Sequence, residues 1–204
     1  MNTRQITAIM APVLLLITMY PVFRGLARKF GIDRWRTAWF LGLVVYWLIW
    51  GLVFPWLIIG KDAILHIFQP GQLTGKILLL VLFPLVMSVI FKLVSKIEYQ
   101  KPDTAAAIMV LFSCFGNGIF EELIWRGVYL ELFPQSILFG ILLPSVFFAL
   151  WHYIPGSINP KGNVIGLMAG SGMMGLYLNI LARHTHSIFW TMVIHILGSF
   201  ITVL

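Results

Sequence analysis

The stretch Leu78-Leu79-Leu80-Val81-Leu82, inside an apolar run at about 77–95, is apolar on every face of a helix. A helix with no polar face is buried in a large core or in a bilayer. Six further apolar runs stand at about 6–23, 38–59, 105–120, 137–153, 164–182 and 187–204. Each approaches the roughly 20 residues that cross a bilayer core, and some fall slightly short. The chain has 204 residues, 60% of them hydrophobic and 10% charged. A soluble domain averages roughly 25% charged residues and must turn many residues to water. Mean hydropathy is +0.94. This excludes a soluble domain, a disordered chain, a disulfide scaffold and a collagen-like repeat. Period-2 alternation of the barrel kind is absent, so the spans must be helices, which satisfy their own backbone groups in lipid. The reading is an all-α, polytopic transmembrane helical bundle of 7–8 helices.

The eighth helix depends on residues 105–133. The fourth run could continue to Phe133 after a break near Gly116-Asn117-Gly118. The apolar run from Ile6 resembles a signal peptide, but no small-x-small cleavage site precedes Arg24, Arg28 and Lys29, so it reads as a retained first membrane helix. The net charge of +7 does not point to nucleic acid, because the basic residues sit between apolar runs, as membrane topology requires. One alternate set of connections holds Arg24, Arg28, Lys29, Arg34, Arg36, Lys92, Lys96, Lys101 and Lys161. The other holds Arg4, Lys61, Lys76 and Arg183. Nine against four places the N-terminus outside and residues 24–37 in the cytoplasm. The lone Cys114 forms no intrachain disulfide and reads as a small packing residue.

Residues 1–204 read as one integral membrane domain. Residues 1–104 are scaffold helices with few polar interruptions, and 105–204 carry nearly all the polar residues that lie inside apolar runs. Gly166 and Gly170, and Ser171 and Gly175, are four apart with Gly172 between, which suits close helix packing in lipid.

Three places in the second half break the apolar pattern. In Phe120-Glu121-Glu122-Leu123-Ile124-Trp125-Arg126, each charge costs about 2.5–3.5 kcal/mol at the centre of a membrane helix. Glu122 and Arg126 are i,i+4 and can pair on one face. Glu121, about 100° away on an α-helix, is left unmatched and available for proton transfer. The plain alternative ends the helix near Phe120 and leaves these charges at the interface. His152 closes the run Phe148-Ala149-Leu150-Trp151-His152, where an interfacial role is an alternative. His195 lies near the middle of the last run, with Ser199 one turn on. If they converge, Glu121, His152 and His195 supply a base and hydrogen-bond donors in one polar cavity, the parts a protease needs.

Glu121-Glu122-x-x-x-Arg126, Phe148-x-x-x-His152 and His195-x-x-x-Ser199 resemble, in order, the three motifs of the CPBP family. These are the CAAX proteases and bacteriocin-processing enzymes, intramembrane endopeptidases that include Abi-type proteins and the Ras-converting CAAX endopeptidase. The resemblance covers about residues 105–200. It departs at Ser199, where the family often has Asn or Asp. It implies that Glu121 and His152 activate a water, that His195 with Ser199 stabilises the oxyanion, and that Glu122 and Arg126 hold the motif helix. Phe148 would pack against the site. The substrate would be a membrane-associated peptide or protein in the bilayer, with prenylated CAAX substrates one family use, and no nucleic acid is involved. A bacterial cytoplasmic membrane is the expected location.

Glu121, His152 and His195 are also a two-histidine, one-carboxylate set that could bind Zn²⁺, although His-Glu-x-x-His is absent. No required cofactor is the preferred reading. A haem-binding electron-transfer subunit, with His152 and His195 as axial ligands, leaves the paired glutamates and Arg126 without work. A non-catalytic membrane partner or small transporter could use the buried charges as a proton relay. Asp33, Asp62 and Asp103 lie in connections, against an aspartyl dyad. Ser171 is not in Gly-x-Ser-x-Gly, against a rhomboid-like serine enzyme. His184-Thr185-His186 reads as a polar turn, and His66 as part of an interfacial segment near Lys61 and Asp62.

Overall fold

The computed structural model describes residues 1–71, 73–95, 104–160 and 162–203. Lys96, Lys101, Asp103 and Lys161 lie outside the described residues. Among the described residues there are seven helices and no strand. They are α1 (Thr3–Phe30), α2 (Ile32–Ile67), α3 (Gly75–Ser95), α4 (Thr104–Leu132), α5 (Leu138–Gly156), α6 (Val164–Thr185) and α7 (Phe189–Val203). The first six are long and apolar enough to cross a bilayer, while α7 is shorter. Large apolar side chains such as Leu57, Leu79 and Met173 are at least 70% exposed on the outer faces. Such side chains belong against lipid.

Helix α1 starts at an Asn2 capping box. The Asn2 side chain accepts from the Gln5 backbone, and the Gln5 side chain accepts from the Asn2 backbone. Ala8, Ala11, Leu15, Met19 and Phe23 recur at three- and four-residue steps and are buried, which fixes its inner face. The basic residues Arg24, Arg28 and Lys29 are not in a loop: α1 runs on to Phe30 and the chain turns at Gly31, whose φ of 72° favours glycine. Lys and Arg are good helix formers with long apolar stems, so a basic stretch need not end a helix.

Helix α2 is π-helical over Trp47–Val53 and kinks at Gly60 (φ 83°, ψ 166°). Beyond the kink, Lys61, Asp62 and His66 are exposed while Ile67 is buried. Residues 104–132 make one continuous helix, so no break and no eighth helix occurs at Gly116-Asn117-Gly118. Two π-helical turns, Asn117–Glu121 and Leu123–Gly127, absorb the irregularity instead.

Close approaches of backbone set where the helices cross. A Cβ on Gly51 would lie 2.5 Å from the Phe120 Cβ, and one on Gly116 would lie 2.5 Å from the Trp47 ring. A Cβ on Gly118 would fall on the Ile196 side chain and within 3.2 Å of the Ile196 backbone nitrogen. Gly118→Ala is therefore expected to push α7 away from α4, at a cost of about 1–3 kcal/mol. The melting temperature should fall. An unchanged melting temperature would show that α7 does not rest there. On α6, the close packing involves Gly172, 3.1 Å by the same construction from the Ala149 Cβ, and Gly175, 3.0 Å from the Phe148 ring. Gly170 faces open space and Gly166 meets only its own cap residue Asn163, so the four-residue pair of glycines is not the contact. Cys114 is buried and free.

Candidate active site

Two long-range anchors fix the motif helices. The turn before α7 is tied to the end of α2: Ile188 N donates to Ile67 O at 2.8 Å, and Ser187 Oγ donates to Ile67 O at 3.0 Å. Tyr129 Oη donates to Ala8 O at 2.9 Å and ties α4 to α1. His195 then stands two turns along α7, opposite the π-helical part of α4.

Glu122 and Arg126 pair on α4 as the i,i+4 spacing predicts, with Nη1 3.1 Å from Oε1 and both side chains fully buried. The same Glu122 Oε1 lies 2.7 Å from His195 Nδ1. A carboxylate paired with arginine accepts, so this contact places a proton on Nδ1. His195 Nε2 lies 3.7 Å from Glu121 Oε2. One imidazole thus stands between the two neighbouring glutamates. Successive residues in a π-helical turn rotate through a smaller angle than in an α-helix, because the ring closes at i→i+5. Both carboxylates lie within 3.7 Å of His195 on α7, and it is Glu122 that takes the arginine.

Glu121 has a second neighbour. Trp151 Nε1 donates to Glu121 Oε1 at 2.9 Å, leaving Oε2 without a hydrogen bond in the protein. Trp151 was inside a motif, yet sequence reasoning gave it no role. The signal was available in principle, since a buried indole N–H needs an acceptor. Trp151 stacks on Tyr46 with ring centroids 4.0 Å apart and meets Phe23 edge-on at 5.8 Å. Tyr46 Oη in turn accepts from Trp125 Nε1 at 2.9 Å. Helices α1 and α2 therefore brace the residue that holds Glu121.

Trp151→Phe keeps a ring on Tyr46 and removes the donor. A hydrogen bond to a charged group contributes about 1.5–3 kcal/mol. Turnover is expected to fall at least tenfold while the protein still purifies folded. Undiminished turnover would show that Glu121 is positioned without the indole.

His152 is partly buried, and its Nδ1 lies 2.8 Å from Phe148 O. A carbonyl only accepts, so Nδ1 carries the proton and Nε2 keeps a lone pair. Among the described residues, His152 makes no direct hydrogen bond to Glu121. Phe148 stands beside three polar members: its ring lies edge-on to His152 at 4.5 Å and to His195 at 6.3 Å, and Arg126 Cζ stands over it at 4.2 Å. Ser199 is one turn beyond His195 and partly buried. Its hydroxyl makes no hydrogen bond to Glu121, His152 or His195.

The chemistry offered is a carboxylate oxygen and two imidazole Nε2 atoms that hydrogen bonds leave uncommitted. The His195 side chain is 14% exposed against 1% for Glu121, so the site is enclosed but open on the histidine side. Among the described residues, no three His, Cys, Asp or Glu side chains are grouped to hold a metal ion. Glu121, His152 and His195 are not grouped in this way. The polar residues Asn179 and Ser145, buried where α6 meets α5, were not singled out from sequence. Asn179 Nδ2 donates to Ser145 Oγ at 3.0 Å and to Gly175 O at 2.9 Å.

A family model described as Rce1-like, "Type II CAAX prenyl endopeptidase Rce1-like", matches residues 103–201. Comparison with curated proteins and with solved structures gave no match.

Proposed function

We propose that this chain, whose residues 103–201 match the Rce1-like model of CAAX-type intramembrane endopeptidases, hydrolyses a peptide bond in a membrane-associated peptide or protein with Glu121 and His152 activating the water. The observation that carries this reading is the different employment of the two glutamates. Glu122 is spent on Arg126 and His195, whereas Glu121 keeps Oε2 without a hydrogen bond and is held through its other oxygen by Trp151.

In the proposed mechanism, the substrate carbonyl enters from the histidine side. Water sits between Glu121 Oε2 and His152 Nε2, loses a proton to them and attacks the carbonyl carbon. His195, set between the two glutamates, donates from Nε2 to the developing oxyanion, with Glu122 holding its other nitrogen. Ser199 is the second donor only if the substrate or a side-chain rotation brings its hydroxyl to the oxyanion. The proton taken from water passes to the leaving amine as the tetrahedral intermediate collapses. Arg126 and Phe148 are positioning residues in this scheme. The reaction uses no metal. Zinc below 0.1 mol per mol in fully active purified protein (roughly one site in ten) is the expected analysis. Stoichiometric zinc, lost together with activity in His195→Ala, would overturn the metal-free form.

The role of His152 is tested by His152→Gln, which keeps a hydrogen-bonding side chain but no base. The expected loss of turnover is about a hundredfold or more. Turnover within threefold of wild type, at equal expression, would remove His152 from water activation (a threefold change is under about 0.7 kcal/mol).

A further inference from the structure

Beyond the glutamates, the interior holds a second polar feature that the proposed reaction does not use. Arg126, Asn179 and Arg183 line a cavity of about 10 Å³ where α4, α5 and α6 meet, with Leu130, Phe133 and Pro134 as apolar walls. That volume admits one water-sized guest. Arg126 is fully buried, and its Nε and Nη2 have no hydrogen-bond partner. Arg183 Nη1 is also buried without a partner. Asn179 spends its amide hydrogens on Ser145 and Gly175, so it competes for no anion, and neither guanidinium bonds to it. Among the described residues, no carboxylate lines the cavity. The acid paired with Arg126, Glu122, is already shared with His195.

Two guanidiniums on one small cavity, both with unused buried N–H groups, repel each other and leave strong donors unsatisfied. A single anion between them corrects both. From this geometry we propose that the cavity is a binding site for one small monoatomic anion of the chloride class. So small an accessible space favours a monoatomic anion over tetrahedral phosphate or sulfate. The occupant is linked to the candidate active site through Arg126, whose Nη1 holds Glu122, which in turn holds His195. Anion binding steadies Arg126 from the side away from Glu122.

The test reads stability and is independent of the proposed proteolysis. The purified full chain is melted in detergent, followed by tryptophan fluorescence, in sodium chloride, sodium bromide or sodium gluconate at matched ionic strength. A ligand that binds only the folded state raises its melting point saturably. The wild type should melt a few degrees higher in either halide than in gluconate, and Arg183→Gln should lose that difference. Equal melting of the wild type in halide and gluconate would overturn the proposal, and so would a halide gain that survives in Arg183→Gln. Should that variant not fold, anomalous scattering from wild-type crystals grown in bromide decides. A peak between Arg126 and Arg183 supports the site, and no peak there overturns it.

Discussion

Glu121→Gln is expected to lower turnover by about 10²–10⁴-fold, the usual contribution of a positioned proton-transfer group, while the protein folds and inserts as before. The amide is nearly isosteric with the acid. Its oxygen can still accept from Trp151 Nε1, which donates to Glu121 Oε1 at 2.9 Å. What disappears is the second oxygen as a proton acceptor. In the wild type that atom makes no hydrogen bond in the protein and lies 3.7 Å from His195 Nε2. The neighbouring change Glu122→Gln separates the two roles. It should weaken the hold on His195 and Arg126, and so lower stability as well as rate. A Glu121→Gln variant that turns over at the wild-type rate would end the assignment, and one that fails to fold would make Glu121 structural.

Arg126→Met is expected to destabilise the protein more than any of the other substitutions. Removing one partner of a buried ion pair costs about 3–5 kcal/mol, because the other charge remains buried without compensation. Glu122 would lose its cationic partner on α4, and Phe148 would lose the guanidinium 4.2 Å above its ring. The variant should therefore melt far below the wild type. The double variant Glu122→Gln with Arg126→Met should recover part of the loss, since both charges are then gone. A double-mutant cycle on melting or denaturant midpoints measures that recovery. Additive losses would show that the pair at 3.1 Å is not energetically coupled.

The membrane fold was legible because its cause is compositional. Runs such as Leu78–Leu82 have no polar face to give to water, and the positions of the apolar runs follow the helices closely. Helix ends were less legible. Arg24, Arg28 and Lys29 read as a loop but extend α1, since charge alone does not stop a helix. The three motifs of the second half were readable as anomalies: a charge inside an apolar run has few explanations. What joins them was not readable. The π-helical turns of α4 place Glu121 and Glu122 on either side of His195, and a 3.6-residue period cannot anticipate that. Trp151 carries no charge to mark it, and its acceptor, Glu121, is 30 positions away. Asn179 and Ser145 likewise met only through the packing of α6 on α5. Ser199 is the reverse case, as its motif position was plain and its hydroxyl makes no hydrogen bond to the other three residues.

The central claim is that this chain cuts peptide bonds with Glu121. The most direct measurement compares protein and peptide termini in membranes of cells carrying the wild type or Glu121→Gln at equal expression. The account predicts at least one terminus, close to a membrane segment, that appears with the wild type and is missing with the variant. Identical terminal profiles, in membranes that accumulate the cut product of an added membrane-bound substrate equally with both proteins, would contradict it.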